Sequence, residues 1–196
     1  TGSSILSAAL AKSPDLVELR LRLAAVRLRQ NSPDAALAVL QLIKNPNDPR
    51  VLAMLSQTYL KLSRYSDALD VLDKLNATGS AGQGVKRERA LVEMQAGQSD
   101  QALKDLIELG ASQPTDPSVV APLVAALVQA KRFPEALAAA DRLATDPKQR
   151  AQAFFFRGQI RTVQGDANGA FAEFQKSLQL EPRNVTSLYY RANLYE

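Results

Sequence analysis

Apolar positions recur at helical spacing along nearly the whole chain. Leu16, Leu19, Leu23 and Val26 make one stripe, which predicts a helix from Asp15 to about Gln30. Ala36, Leu37, Leu40 and Ile43 make the next, opened by Ser32-Pro33 with serine as N-cap and proline at the first helical position. Ahead of both, Leu6, Ala9 and Leu10 mark a short helix that Ser13-Pro14 stops. Asp-Pro recurs at Asp48-Pro49, Asp116-Pro117 and Asp146-Pro147. An aspartate there accepts from free backbone N–H groups at the positive helix end, and proline gives up only a donor that was unpaired anyway. Each pair therefore opens a helix. The predicted helices run over 49–62 and 66–76, 84–96 and 99–110, 117–131 and 134–144, then 147–164 and 167–180. A last helix begins near Val185 and runs to Glu196. The short turns Ser63-Arg64-Tyr65, Gly97-Gln98, Lys131-Arg132-Phe133 and Gly165-Asp166 make each pair antiparallel.

These pairs share a period. Ala36-Leu37, Ala68-Leu69, Ala102-Leu103, Ala136-Leu137 and Ala170-Phe171 are 32, 34, 34 and 34 residues apart. A fixed step of this size is the signature of stacked repeats. A second series, one small residue in each first helix, reads Ala24, Ser56, Ala90, Val124, Gly158 and Ala192. Both series sit where paired helices cross, which leaves no room for a large side chain. Val124 departs from the series, and Pro122 one turn away predicts a kinked or splayed helix there. The loosest connection is Asn76–Gly84, with three glycines. Its glycine spacing lacks the preceding strand that a nucleotide-binding fingerprint needs, so it reads as a linker.

Composition narrows the chemistry. The chain has 196 residues with neither cysteine nor histidine, which excludes disulfides, thiol chemistry, the usual zinc sites and histidine acid–base catalysis. No catalytic, metal or cofactor site is expected, and the protein is read as a non-enzyme. The net charge of +4 comes from scattered Lys and Arg rather than a basic face, so no nucleic-acid partner is expected. The arginine pairs Arg20/Arg27 and Arg22/Arg29 are read as solvated flanks. No apolar run reaches the length of a membrane span, and no signal-peptide pattern opens the sequence.

The 34-residue unit of two helices, with a small residue in the first, alanine early in the second and proline near the end, resembles the tetratricopeptide repeat. The likeness is clearest over 151–184, where Phe154, Gly158, Ala170, Phe174 and Pro182 occupy the family positions. The resemblance implies an all-α fold, a right-handed α-solenoid forming one superhelical domain over 1–196. Its expected parts are a half-repeat at 5–14, repeats at 15–48, 49–82, 83–116, 117–150 and 151–184, and a half-repeat at 185–196. The 83–116 repeat fits least well, because Lys86 stands at a position that is apolar in the family. The apolar last helix lacks the polar outer face of a cap, so the chain is read as a fragment of a longer array.

The resemblance also implies a function, a scaffold that binds a partner helix or peptide in the concave groove lined by first helices. The groove residues it implies are Leu60, Arg87, Leu91, Met94, Ala125, Val128, Phe155, Gln159, Tyr189 and Asn193. The floor they make is mostly apolar, so the lysine- and asparagine-based carboxylate clamp of some family members is not expected. The alanine-rich style also resembles repeat proteins of bacterial polysaccharide export, which favours the periplasm over the cytoplasm and offers a polysaccharide as the other partner. In that reading Phe155, Phe156, Tyr189 and Tyr190 would stack on sugar rings.

Overall fold

Eleven α-helices account for most of the described residues, which are 4, 6, 8–10, 16–79 and 82–195 of a computed structural model (for Tyr195, the backbone only). They are α1 (Val17–Arg29), α2 (Pro33–Gln41), α3 (Pro49–Lys61), α4 (Tyr65–Ala77) and α5 (Gln83–Gln95). There follow α6 (Ser99–Ser112), α7 (Pro117–Gln129), α8 (Phe133–Leu143), α9 (Arg150–Val163), α10 (Ala167–Leu180) and α11 (Val185–Ala192). Single 3-10 turns cover Pro147–Gln149 and Asn193–Tyr195, and no strand occurs among the described residues. The expected half-repeat at 5–14 lies largely outside them, although residues 8–10 are helical. Asp15 and Glu196 also lie outside.

The helix contacts divide the chain into two units, Thr1–Gln98 and Ser99–Glu196. In the first, α1 packs on α2, α3 on α4, and α2 and α4 each pack on the helix that follows, while α1 also touches α3. In the second, α7 pairs with α8 and α9 with α10; α6 packs on α7, α9 on α8 and α7, and α11 on α10. The division falls between α5 and α6, the two helices that the 34-residue register couples as 83–116.

Local chemistry sets the helix ends. Asp48, Asp116 and Asp146 accept from the backbone N–H of Arg50, Ser118 and Lys148 at 2.9, 2.8 and 2.9 Å. The third of these opens a 3-10 turn that passes into α9, not an α-helix directly. Ser32 departs from expectation: its hydroxyl makes no cap and instead donates back to the Gln30 carbonyl at 3.4 Å. The C-termini of the first helices repeat one device. Asn31, Ser63, Gly97, Lys131 and Gly165 all have φ between 55° and 79°. In each case the next residue's N–H reaches five residues back, as in Ser32 to Arg27 (2.9 Å), Arg64 to Tyr59 (2.9 Å) and Arg132 to Leu127 (2.8 Å). This is the Schellman closure, and a left-handed residue is what lets the chain reverse so tightly. Its spacing of 32, 34, 34 and 34 residues matches that of the alanines.

The crossings are as tight as the small residues require. Ala36, Ala68, Ala102, Ala136 and Ala170 are fully buried, as are Ala24, Ser56 and Ala90. Val124 is accommodated in the core, and α7 stays helical through Pro122. A Cβ placed on Gly158 would lie 2.5–2.8 Å from three ring atoms of the fully buried Phe174. Ala192 breaks the pattern by being exposed, because no second helix of its own crosses it among the described residues. The glycine connection is also shorter than expected. Asn76 and Ala77 finish α4, while Gln83 and Gly84 already belong to α5.

Two joints between consecutive pairs are ionic. Arg89 on α5 meets Asp73 of α4 at 3.1 Å and the buried Glu93 at 3.1 Å. Arg157 on α9 meets Asp141 of α8 at 2.5 Å and the buried Glu173 at 3.2 Å, with Lys176 also on Glu173 at 3.2 Å. Asp73 and Asp141 are 68 residues apart, as are Arg89 and Arg157. At the positions halfway between, the chain carries an apolar pair instead, Ile107 with Leu123, and one step earlier the polar Gln41 stands with Leu55.

Candidate functional site

In the first unit the first helices α1, α3 and α5 present the expected groove residues Leu60, Arg87, Leu91 and Met94. Leu60 and Met94 are half-buried, Leu91 is 38% exposed, and Arg87 is partly exposed and not free of partners. A buried Ser56 hydroxyl bonds Glu88 at 2.8 Å and ties α3 to α5. Between the C-terminal ends of the three helices lies an open cavity of about 600 Å³ lined by Leu28, Arg29, Gln57, Leu60, Lys61 and Gln95. Leu28 and Leu60 make its floor because their inner faces pack on the two core clusters of this unit. Arg29 and Lys61 stand exposed at the rim, and among the described residues neither meets a carboxylate. Of this set the resemblance put Gln57 and Leu60 in the groove, and the sequence reading took Arg29 as a solvated flank. Leu28, Lys61 and Gln95 were missed, although the 32-residue step places Leu28 with Leu60 and Arg29 with Lys61.

A second depression in this unit, about 680 Å³, has a charged lining that includes Arg64, Asp67, Asp70, Asp73 and Arg89. Both of its arginines are committed, since Arg64 holds Asp67 at 2.8 Å while Arg89 is engaged with Asp73 and Glu93.

In the second unit α7, α9 and α11 carry Ala125, Val128, Phe155, Gln159 and Tyr189, and Asn193 opens the 3-10 turn after α11. Ala125 and Asn193 are exposed, and Val128, Phe155 and Gln159 are half-buried. Phe155 is held in a ring cluster, with Tyr190 edge-on at 5.4 Å and Phe156 and Phe174 at 5.9 Å. Phe156 is buried and Tyr190 half-buried, so of the four aromatics expected to meet sugars only Tyr189 stands clear, at 63% exposed. One edge of Phe155 lines a cavity of about 320 Å³ together with Lys148, Gln149, Gln152, Glu181, Asn184 and Thr186. Asn184 is committed within it, accepting from Ser187 N–H at 3.0 Å and donating to Glu181 at 2.9 Å.

The titratable groups with displaced pKa values are helix-end pairs scattered along the chain, and of them only Arg64 and Asp67 line a depression described above. The Arg50 and Arg64 guanidiniums hold Asp48 and Asp67 below the usual carboxylate range, and Arg132 does the same for Glu135. Asp166 is lowered first by the Gly169 N–H and then by Arg161. No cluster of three or more metal-ligating side chains occurs among the described residues.

Residues 122–185 match the family model of the tetratricopeptide repeat. Those residues are tetratricopeptide repeats. No curated protein matches the chain in sequence. Among solved structures, the chain is similar to YrrB, a tetratricopeptide protein with an unusual peptide-binding site, at 16% identity over 95% of this chain and 97% of that one, with a TM-score of 0.65. It is similar to MamA from Desulfovibrio magneticus at 22% identity over 86% and 96% of the two chains, with a TM-score of 0.69. A thermophilic tetratricopeptide protein of Thermus thermophilus aligns at 20% identity over 91% and 98%, with a TM-score of 0.64. At these identities the likeness establishes the fold, an α-solenoid of tetratricopeptide helix pairs. Tetratricopeptide folds are scaffolds for protein–protein interaction. No described helix is long and apolar enough to cross a membrane.

Proposed function

We propose that this chain is a non-catalytic scaffold that binds a partner helix or peptide on the faces of its first helices. The observation that carries the reading is the open, apolar-floored cavity formed by α1, α3 and α5 alone. Each unit by itself also exposes an apolar side chain on the same helix class, Leu91 in the first and Tyr189 in the second. Apolar groups exposed on an ordered face mark contact sites, and aromatic anchors carry much of the energy there. The peptide-binding site of YrrB, a protein of the same fold, agrees with this reading. A sugar-stacking role has less support, because Phe156 is buried and the rings of Phe155 and Tyr190 pack on one another.

The test is selection of displayed random peptides against the immobilised chain, followed by calorimetry of the enriched sequences. Leu91→Ser and Tyr189→Ala should each weaken peptides selected on their own unit by tenfold or more, while Lys104→Ala on α6 should not. Full affinity in both groove variants, with loss in Lys104→Ala, would place the site elsewhere.

A further inference from the structure

We propose that the cavity at the ends of α1, α3 and α5 is a subsite for an internal acidic peptide segment. The segment carries one aliphatic side chain between two carboxylates. The proposal rests on the scaffold reading above and specifies the ligand chemistry of one of its faces.

The floor supplies the first half of the argument. Leu28 and Leu60 occupy the same position in successive repeats, 32 residues apart, and both are partly buried against the core of the unit. Their outer faces make an apolar seat for one side chain. The cavity of about 600 Å³ falls inside the range of sites that enclose small ligand groups. No aromatic ring lines it. That disfavours a nucleobase, which binds by stacking.

The rim supplies the second half. Arg29 and Lys61 are again 32 residues apart, the last residues of α1 and α3. No carboxylate lines the cavity, so the field above the floor is positive. Basic residues in a last helical turn also complement the helix dipole. Yet α5 and α7 end with no basic residue in that turn, so the fold does not require them there. Along the series Arg29, Lys61, Gln95, Gln129 and Val163 the cations stop after the second member. The acid preference is therefore a property of this one cavity.

Geometry fixes the spacing. α1 and α3 touch, and packed helices lie about 8–10 Å apart. On helix ends that far apart, the two cations reach separate carboxylates more readily than one shared between them. They suit two, on residues three apart in a polyproline-II-like segment, which rises about 3.1 Å per residue and brings every third side chain back to one face. The aliphatic residue between them faces the floor. Gln57 and Gln95 are placed to exchange hydrogen bonds with the segment's backbone.

The probe is the octapeptide Ser-Gly-Glu-Leu-Ser-Glu-Gly-Ser, blocked at both ends so that no terminal carboxylate is present. Binding is followed by NMR titration of the backbone amides of the whole chain. The expected result is a saturable shift of Leu28, Lys61 and Gln95. Affinity should fall tenfold or more when both glutamates become glutamine, and likewise when leucine becomes serine. Arg29→Glu with Lys61→Glu should lose the acidic peptide and gain its lysine counterpart; both side chains are exposed, and circular dichroism checks that the fold is kept. Equal binding of the glutamine peptide, full affinity in the double variant, or no binding to the parent chain overturns the proposal. So does a single-stranded RNA oligomer that binds these residues more tightly than the peptide. Failure here with Leu91→Ser and Tyr189→Ala still impairing selected peptides would leave the scaffold reading standing. Failure of both would remove it.

Discussion

Gly158→Ala isolates the packing at a helix crossing from the intrinsic preference of the helix. Residue 158 lies within α9, where alanine is favoured over glycine by about 1 kcal/mol. On propensity alone the variant is stabilised. The structure opposes this, because the new Cβ would sit 2.5, 2.6 and 2.8 Å from three atoms of the Phe174 ring. Ordinary carbon–carbon contacts are about 3.5–4.0 Å, so the ring and Cβ must separate by roughly 1 Å. Phe174 has little freedom to yield, being fully buried with Phe155 and Tyr190 each 5.9 Å away. Overpacking of this kind costs about 1–3 kcal/mol, which outweighs the propensity gain. The expected net loss is about 1 kcal/mol, read by urea denaturation. A double-mutant cycle makes the cause specific: in a Phe174→Leu background the same glycine-to-alanine change should become neutral or stabilising. If Gly158→Ala stabilises the parent chain, or costs as much without the ring as with it, the crossing is not packed as described.

Ser63→Gly and Lys131→Gly should each stabilise by about 0.5–1 kcal/mol in denaturant titrations, because both residues hold a left-handed backbone that costs a side chain and spares glycine; no gain in either would argue against the Schellman closures. Ala136→Leu and Ala170→Leu should each lose about 1–3 kcal/mol, since both alanines are fully buried at crossings, and unchanged melting of both would contradict the packing. Asp48, Asp67, Glu135 and Asp166 all have carboxyls held below their ordinary values, so their contribution is present above about pH 4–4.5 and is lost as the pH falls below it through the depressed values. Melting temperature against pH should therefore drop on the acid side, and Asp166→Asn should flatten part of that drop; a flat parent profile from pH 6 to 3 would refute it.

The fold was legible because its constraints are local and repeated. A crossing that tolerates only alanine writes itself into the sequence at every repeat, and an Asp-Pro pair announces a helix start without help from the rest of the chain. Ser32 shows where such reasoning stops, since the same residue type serves as a cap or bonds backwards according to a backbone angle. The left-handed turn residues escaped notice because Asn31, Ser63 and Lys131 are not glycines, and only their alignment with Gly97 and Gly165 exposes the series. The binding faces were harder to read. Phe154, Phe155 and Phe156 point in three directions a third of a turn apart, and apolar periodicity does not say which one the next helix will cover. The structure buries Phe156 and leaves the other two at the edge. Arg29 looked like one of a scattered set of arginines until Lys61 stood beside it across a cavity.

The two ionic joints make this array a two-letter tiling. An Asp–Arg joint at Asp73 and Arg89 gives way to the apolar pair Ile107 and Leu123 and returns at Asp141 and Arg157. Excising 83–116 alone would set Asp73 against Leu123 and leave a carboxylate facing an aliphatic side chain. Excising 83–150 would set it against Arg157, and the edges would match again. Repeats of equal length are thus not interchangeable one at a time. At this joint, deletion or grafting keeps the charges matched only in a step of 68 residues, twice the visible period.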